Sequence, residues 1–494
     1  MGQPVPVSLG GGYYVSDSLP LSNQRCLNVY VDIPQAATLS EAVLKGTAGL
    51  KQIITSGDIN QINRGAHVKD GKPYFLNGED LYRLDRTIDQ DGSELFTLAT
   101  LGTIPGIDRC SFADNGTQLI ILNTIGQGYI VNEAESTIFQ EITDVDFTTT
   151  NGSPQRVVFI DSFFVVTTAS KKIIKSAANN GLSWSALDFT TASSDPDAIV
   201  APIVVKNKLV ITGSETIESF DNLGISGFPF QRNGLFVQKG CFAPNSLINV
   251  NDGFMFIGGA VDESPAIWTL NGSTPQKIST TAIDSKLQSF SREEIESSFA
   301  IAYAQSGAYF VEFSLPSITL VYDMITQVWH EKESQIINSK GLTQNTKHRV
   351  NSLVTAYSRL LCGDSQDGRI GELMPTVYTE YGMPILRAFS LQPFADMGAS
   401  ISINSVELTM ESGVGNAAQP NPEIRLSTSS NGKTFNDPIP AKIGRIGEYD
   451  TRQFWRRCGR FSRFGILFFE FSDPNKFRAL KLRMNVKQGA QRGR

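Results

Sequence analysis

The chain has 494 residues, of which 40% are hydrophobic and 19% charged, with 43 glycines and 30 phenylalanines. That is enough apolar material for large cores, which excludes a disordered or collagen-like chain and predicts about three domains or one long repeat array. The formal net charge of −6 argues against general polyanion binding by the whole molecule, and no run of about 18 apolar residues exists to span a bilayer.

The first residues, MGQPVPVSLGGGYY, lack a basic segment followed by an apolar core, and Pro6 breaks a myristoylation signal. The expectation is a soluble chain made in a cytoplasm. Residues 1–59 read as a partly irregular segment that closes or decorates the repeat region of residues 60–375.

Within that region one pattern recurs. An apolar strand meets a polar turn, a second strand rich in Val, Ile and Phe comes next, and a third closes the unit. The segments GAHVKDGKPYFLNGEDLYRL (65–84) and CSFADNGTQLIILNTIGQGYIV (110–131) illustrate it. Turns fall near Asp70-Gly71, Asn115-Gly116, Asp161-Ser162, Asn207, Asp252-Gly253, Ser306-Gly307 and Ser358, at steps of about 45 to 54 residues. Asn-Gly and Asp-Gly supply the positive φ of two-residue hairpins. Hairpins repeated at this period predict a β-propeller of about seven blades, with paired β-sandwiches or a β-solenoid as the alternatives. Helix is scarce: a capping box at Ser291–Glu294 starts one short helix, and 281–289 is a second candidate.

Beyond residue 376 the strands lengthen (402–410, 423–430, 464–471, 479–486) and predict a separate, antiparallel β-sandwich-like domain over 376–494. Its charge is reversed. Between Lys442 and Arg494 stand fourteen Lys or Arg against four Asp or Glu, a local +10 that leaves −16 for the rest of the chain.

Motifs for chemistry are weak throughout. Five separated cysteines without a CxxC pair read as free, mostly buried thiols, and three separated histidines give no metal site. His330-Glu331 opens like HExxH, but Ser334 stands where the second histidine belongs. Asn431-Gly432-Lys433-Thr434 mimics half a P-loop, yet Ser427 replaces its first glycine and no helix comes after it. The acidic turns at 89–92 and 364–368 lack a full calcium ligand series and read as solvated turns. Two segments, 177–184 and 428–435, resemble the Asp-box turn of sialidase-like propellers, with Asn179 and Ser430 in place of the acid. That motif is architectural. No catalytic residue, cofactor or metal is assigned.

The densest candidate is the run Arg452, Phe454, Trp455, Arg456, Arg457, Arg460, Phe461, Arg463. Interleaved arginines and aromatics suit base stacking and phosphate neutralisation. In a regularly alternating strand, Phe454, Arg456, Cys458 and Arg460 share one side. The other reading is a partly buried strand whose arginines meet acidic surface of the same chain, a neighbouring subunit or another partner. Partner contact through Arg452, Trp455, Arg456, Arg457, Arg460 and Arg463 is favoured over DNA.

Several segments, taken in order, resemble the tail hub, or nozzle, proteins of short-tailed bacteriophages, also called packaged-DNA stabilisation proteins. They are Lys45–Leu50, Gly213–Phe220, Phe236–Gly240, Ser264–Trp268, Ser289–Glu294, Leu320–Asp323 with Trp329, Cys362–Asp364, Leu426–Ser429 and Phe454–Arg460. The first 40 residues and the arginine-rich end beyond 488 match least. The resemblance implies a virion structural protein rather than an enzyme. It implies a six-membered ring beneath the portal and its adaptor, in the virion tail after assembly in the host cytoplasm. Such hubs prolong the DNA channel without sequence-specific binding, carry tailspikes or fibres, and are closed by a needle or plug. The acidic balance of the remaining chain suggests a lumen that repels DNA and lets it slide. A receptor-binding or glycan-degrading propeller is the runner-up, and a cytoplasmic scaffold the third reading.

Overall fold

The computed structural model describes residues 3–16, 18–19, 21–34, 41–57, 61–191, 197–338, 340–395 and 400–488. Strands hold 57% of the chain and helices 4%, so the fold is all-β. Seven antiparallel sheets succeed one another between residues 63 and 374, the first six with four strands at their core and the seventh with three from this stretch. In six of the seven junctions the first strands of neighbouring sheets lie against each other, Asn63–Lys69 and Val350–Ala356 at the seam among them, so they line the centre of a ring. Seven apolar clusters, one between each pair of neighbouring blades, hold it together. The last joins Phe75 and Leu84 of the first blade to Ala356, Leu361 and Ile370 of the seventh. The architecture is a seven-bladed propeller.

The turn chemistry comes from the sequence. Both turn residues sit at positive φ in Asp70-Gly71, Asp161-Ser162, Lys206-Asn207, Ser306-Gly307 and Tyr357-Ser358, the geometry that matches strand twist in two-residue hairpins. In the fifth blade the turn falls one residue earlier than expected, because Val250 pairs with Gly253 and Asn251 takes φ 47. The capping box forms: Ser291 Oγ accepts from Glu294 N at 3.2 Å, and Glu294 Oε2 from Ser291 N at 2.7 Å.

The ring is closed from the amino-terminal side. Strand Gly49–Thr55 pairs antiparallel with Arg369–Met374 and supplies the fourth strand of the seventh blade. Linking the chain's early part to its last blade removes the open edge that a ring of successive sheets would otherwise leave.

A second body packs two sheets around Val406, Leu408, Trp455, Phe469 and Leu482. One sheet runs Gln453–Phe461, Ile401–Met410, Arg478–Gln488, Val43–Gly46, Val29–Asp32, with Gln3–Val7 also pairing the third of these. The segment before residue 49 is therefore woven into the sandwich as well as leading to the closing strand. The other sheet contains Arg387–Ser390, Phe464–Phe471, Glu423–Ser429 and Ile439–Lys442. It continues into the sixth blade, where Leu27 pairs in parallel with Glu331. Arg25 clamps that seam, with Nε 2.7 Å from Glu331 and Nη2 2.7 Å from Glu333.

Candidate assembly surface

Strand Gln453–Phe461 forms one border of the six-stranded sheet. Simple alternation fails along it. Arg457 takes φ 55, and between the pairs Ile403–Gly459 and Ser405–Arg456 two residues of this strand oppose one of its partner. Such a bulge re-phases the side chains. Cys458 therefore turns inward, away from the side expected for it beside Arg456 and Arg460, and is 3% exposed. Burial pushes its thiol up to about 11, and all five cysteines are buried free thiols.

Trp455 also faces inward. It is 2% exposed, its ring lies 5.6 Å from that of Phe469, and its indole Nε1 donates to Ile439 O at 2.8 Å. As a contact residue Trp455 is corrected: it supports the sheet from beneath, since its apolar body fills the space between the sheets. Phe461 is buried too, which leaves Phe454 as the one aromatic of the run on the outer face. A stacking platform for successive bases needs more than one exposed ring.

The five arginines remain at the surface: Arg452, Arg456, Arg457, Arg460 and Arg463 are all exposed. Cross-strand pairing extends the patch. Phe454, Glu407 and Arg483 stand in one row, Arg456, Ser405 and Asn485 in the next, and Arg460, Ser402 and Lys487 in a third. Glu407 is the one carboxylate in these rows, and Arg452 Nη2 takes it at 2.7 Å. Arg460 donates to Ser400 Oγ at 3.0 Å, and the guanidinium carbons of Arg452 and Arg456 stand 5.6 and 5.5 Å from the centre of the Phe454 ring. Among the described residues Arg456, Arg457 and Arg463 form no ion pair, so neutralisation within the chain accounts for Arg452 alone. The loop beside the patch exposes Ile446 at 78% and Tyr449 at 71%. Arginine and tyrosine, both enriched in protein interfaces, thus stand beside exposed aliphatic surface.

Other expectations resolve structurally. Asn431 Oδ1 accepts from Lys433 N at 2.8 Å and Thr434 N at 2.9 Å, so the partial P-loop is a side-chain-closed turn. The turn at 364–368 is solvated only in part: Gln366 is exposed, but its first carboxylate is not. Asp364 is 1% exposed and accepts from Arg349 Nε at 2.6 Å and Nη2 at 3.2 Å, because Arg349 stands immediately before the first strand of the same blade. His330 is buried, and that burial together with Lys332 depresses its imidazole to about 3.

One group of cations escapes sequence reasoning because its members are far apart in the chain. Arg109 lies 3.9 Å from the Phe299 ring centre and donates to Asn351 O at 2.5 Å, while Arg156 donates to Asn245 Oδ1 at 2.7 Å. Burial first, then repulsion by Arg156, brings Arg109 down to about 10. Arg156 and Arg292 line a cavity of about 360 Å³ with Glu296.

A seven-bladed propeller joined through one blade to a sandwich with a charged outer sheet defines a rigid all-β scaffold with many loops for partners. The chain belongs to the bacteriophage P22 Gp10 family, the tail hub or nozzle proteins of short-tailed phages, and is a phage tail structural protein and virion component. Residues 5–378 match the family model described as bacteriophage P22 Gp10, beta-propeller, and residues 388–487 that described as bacteriophage P22 Gp10, beta-sandwich. No curated protein sequence matches the chain. Among solved structures, the WD40 beta propeller domain of Doa1 is 13% identical, with 66% of this chain and 97% of that chain covered and a TM-score of 0.40. U3-55K is 11% identical, with 67% and 100% covered and a TM-score of 0.37.

Proposed function

We propose that the chain is a structural subunit, not an enzyme, of a hexameric ring below the portal and adaptor. There it prolongs and closes the DNA channel, retains packaged DNA and anchors tailspikes or fibres and a plug. The single observation that carries this reading is the outer face of the sandwich. Arg456, Arg457 and Arg463 are exposed and unpaired by any described carboxylate, in a chain whose remainder carries −16. A closed ring built from one chain needs two different, complementary patches per subunit. A basic sheet face and an acidic remainder supply opposite signs, which steer docking and reject wrong orientations. The same acidic remainder, lining a channel, repels DNA and favours sliding.

Arg452, Arg456, Arg457, Arg460 and Arg463 then contact the neighbouring subunit or the adaptor, with Ile446 and Tyr449 as apolar anchors. Assembly takes place in the host cytoplasm. The test is Arg456→Glu with Arg457→Glu in the full chain: assembly into tails is lost while the monomer's thermal unfolding stays close to wild type. Normal particles carrying the double variant would refute the placement.

A further inference from the structure

The junction between propeller and sandwich holds a buried cation that forms no ion pair among the described residues. Arg387, at the start of strand Arg387–Ser390, is 1% exposed. Its Nη2 reaches Thr47 O at 3.4 Å, whereas no protein atom among the described residues accepts from Nε or Nη1. Tyr378 and Glu380 are its electrostatic neighbours, but the Glu380 carboxylate lies 3.7 Å from His348 Nε2. Burial lowers the Arg387 guanidinium to about 10.

The guanidinium borders a cavity of about 110 Å³ whose other walls come from both bodies. Ser306 and Tyr378 approach from the propeller side, and Lys45, Lys476 and Arg478 from the sandwich. Gly46 makes the space: a Cβ there would stand 2.7 Å from Arg387 Nε. The carboxylates near the rim are too few for the cations. Asp32 takes Lys45 at 2.5 Å, and Glu411 is shared between Lys476 at 2.5 Å and Arg478 at 3.3 Å. Four cations thus face Asp32 and Glu411 at the rim, with Glu380 a further neighbour of Arg387, and Arg478 Nε also has no hydrogen-bond partner among the described residues. At roughly 30 Å³ per water, the cavity admits a few waters or one small oxyanion, and excludes a nucleotide.

We infer that this cavity binds one small tetrahedral oxyanion of the phosphate class, held by Arg387 Nε and Nη1 with Arg478, Lys45 and Lys476 around it. Guanidinium forks match such oxygens in geometry and charge. The anion would act as a rivet, since its ligands belong to the sandwich and its cavity is walled by the propeller. It also gives a role to the Lys45-Gly46-Thr47 segment, in which one residue lines the cavity, one makes room and one accepts from Arg387.

The test is calorimetric titration and thermal melting of the full chain with inorganic phosphate, against chloride at matched ionic strength and against acetate. The expected result is one saturable site per chain and a melting temperature that rises with phosphate and then levels off. Arg387→Met weakens binding by about tenfold or more. In phosphate-free buffer it melts at or above wild type, because an unpaired buried charge has been removed. Gly46→Ala, which keeps the arginine but displaces it, loses the phosphate response. Should Arg387→Met fail to fold, Lys476→Ala at the rim still weakens binding. No saturable response in the wild type, or unchanged binding in Lys476→Ala and Gly46→Ala, would overturn the site. An equal response to acetate would overturn the phosphate assignment.

Discussion

The seventh blade and the outer face of the sandwich use the same side chain in opposite ways. Arg349 is buried and fixed by both oxygens of Asp364, with Nη2 also 3.4 Å from Asp367. Arg456 is exposed and faces no described carboxylate. A buried guanidinium without its partner is costly, so the blade must close its charges within the chain. An exposed arginine costs little to leave open. The unpaired arginines are therefore available to a partner without any penalty to the monomer's fold, and this separates folding from assembly.

The largest break in this contrast is Asp364→Ala. It leaves buried Arg349 with Asp367 at 3.4 Å and the field of Glu380, and is expected to remove about 3–5 kcal/mol of stability in denaturant unfolding. A loss no larger than that of a surface substitution would mean the pair is dispensable. Next comes an acid limb of stability. Burial alone would raise the Glu312 carboxyl, but His348 at 2.6 Å and Lys332 at 3.1 Å outweigh it and hold it at about 2. A carboxylate held below its ordinary value contributes stability above about 4.5 and loses it as pH falls towards about 2. Melting temperature should fall over that window, and Glu312→Gln should flatten the fall.

Smaller effects belong to the sandwich face. Arg452→Ala removes an exposed pair with Glu407 and should cost about 0.2–1 kcal/mol. Smallest is the effect on monomer stability of Arg456→Glu with Arg457→Glu, within about 0.5 kcal/mol per site by urea titration. Ring formation should weaken with added salt in the wild type, because exposed charges are screened beyond about 8 Å at physiological ionic strength. Ring yield insensitive to salt would assign the contact to apolar surface.

Local features were legible in the sequence. Asp70-Gly71 announces a hairpin by its backbone preference, and seven such turns at similar steps give the propeller. Ser291 and Glu294 announce a helix start. Pairing over long separations was not legible. Nothing in Gly49–Thr55 indicates that Arg369–Met374 will be its neighbour, nor in Val43–Gly46 that it will pair with Arg478 and Ala479. The basic run was found as composition, but its facing was not, because one bulge at Arg457 sends Cys458 inward. Asp364 reads as solvated because its partner lies fifteen residues earlier, just ahead of another strand. Arg387 carries no sequence signal at all, since its significance lies in which atoms fail to meet it.

Assembly into a ring is measured most directly by the native mass of a portal–adaptor complex before and after adding the purified full chain. Six copies of the 54.0 kDa chain predict a gain of about 324 kDa. An unchanged mass would contradict the assembly reading.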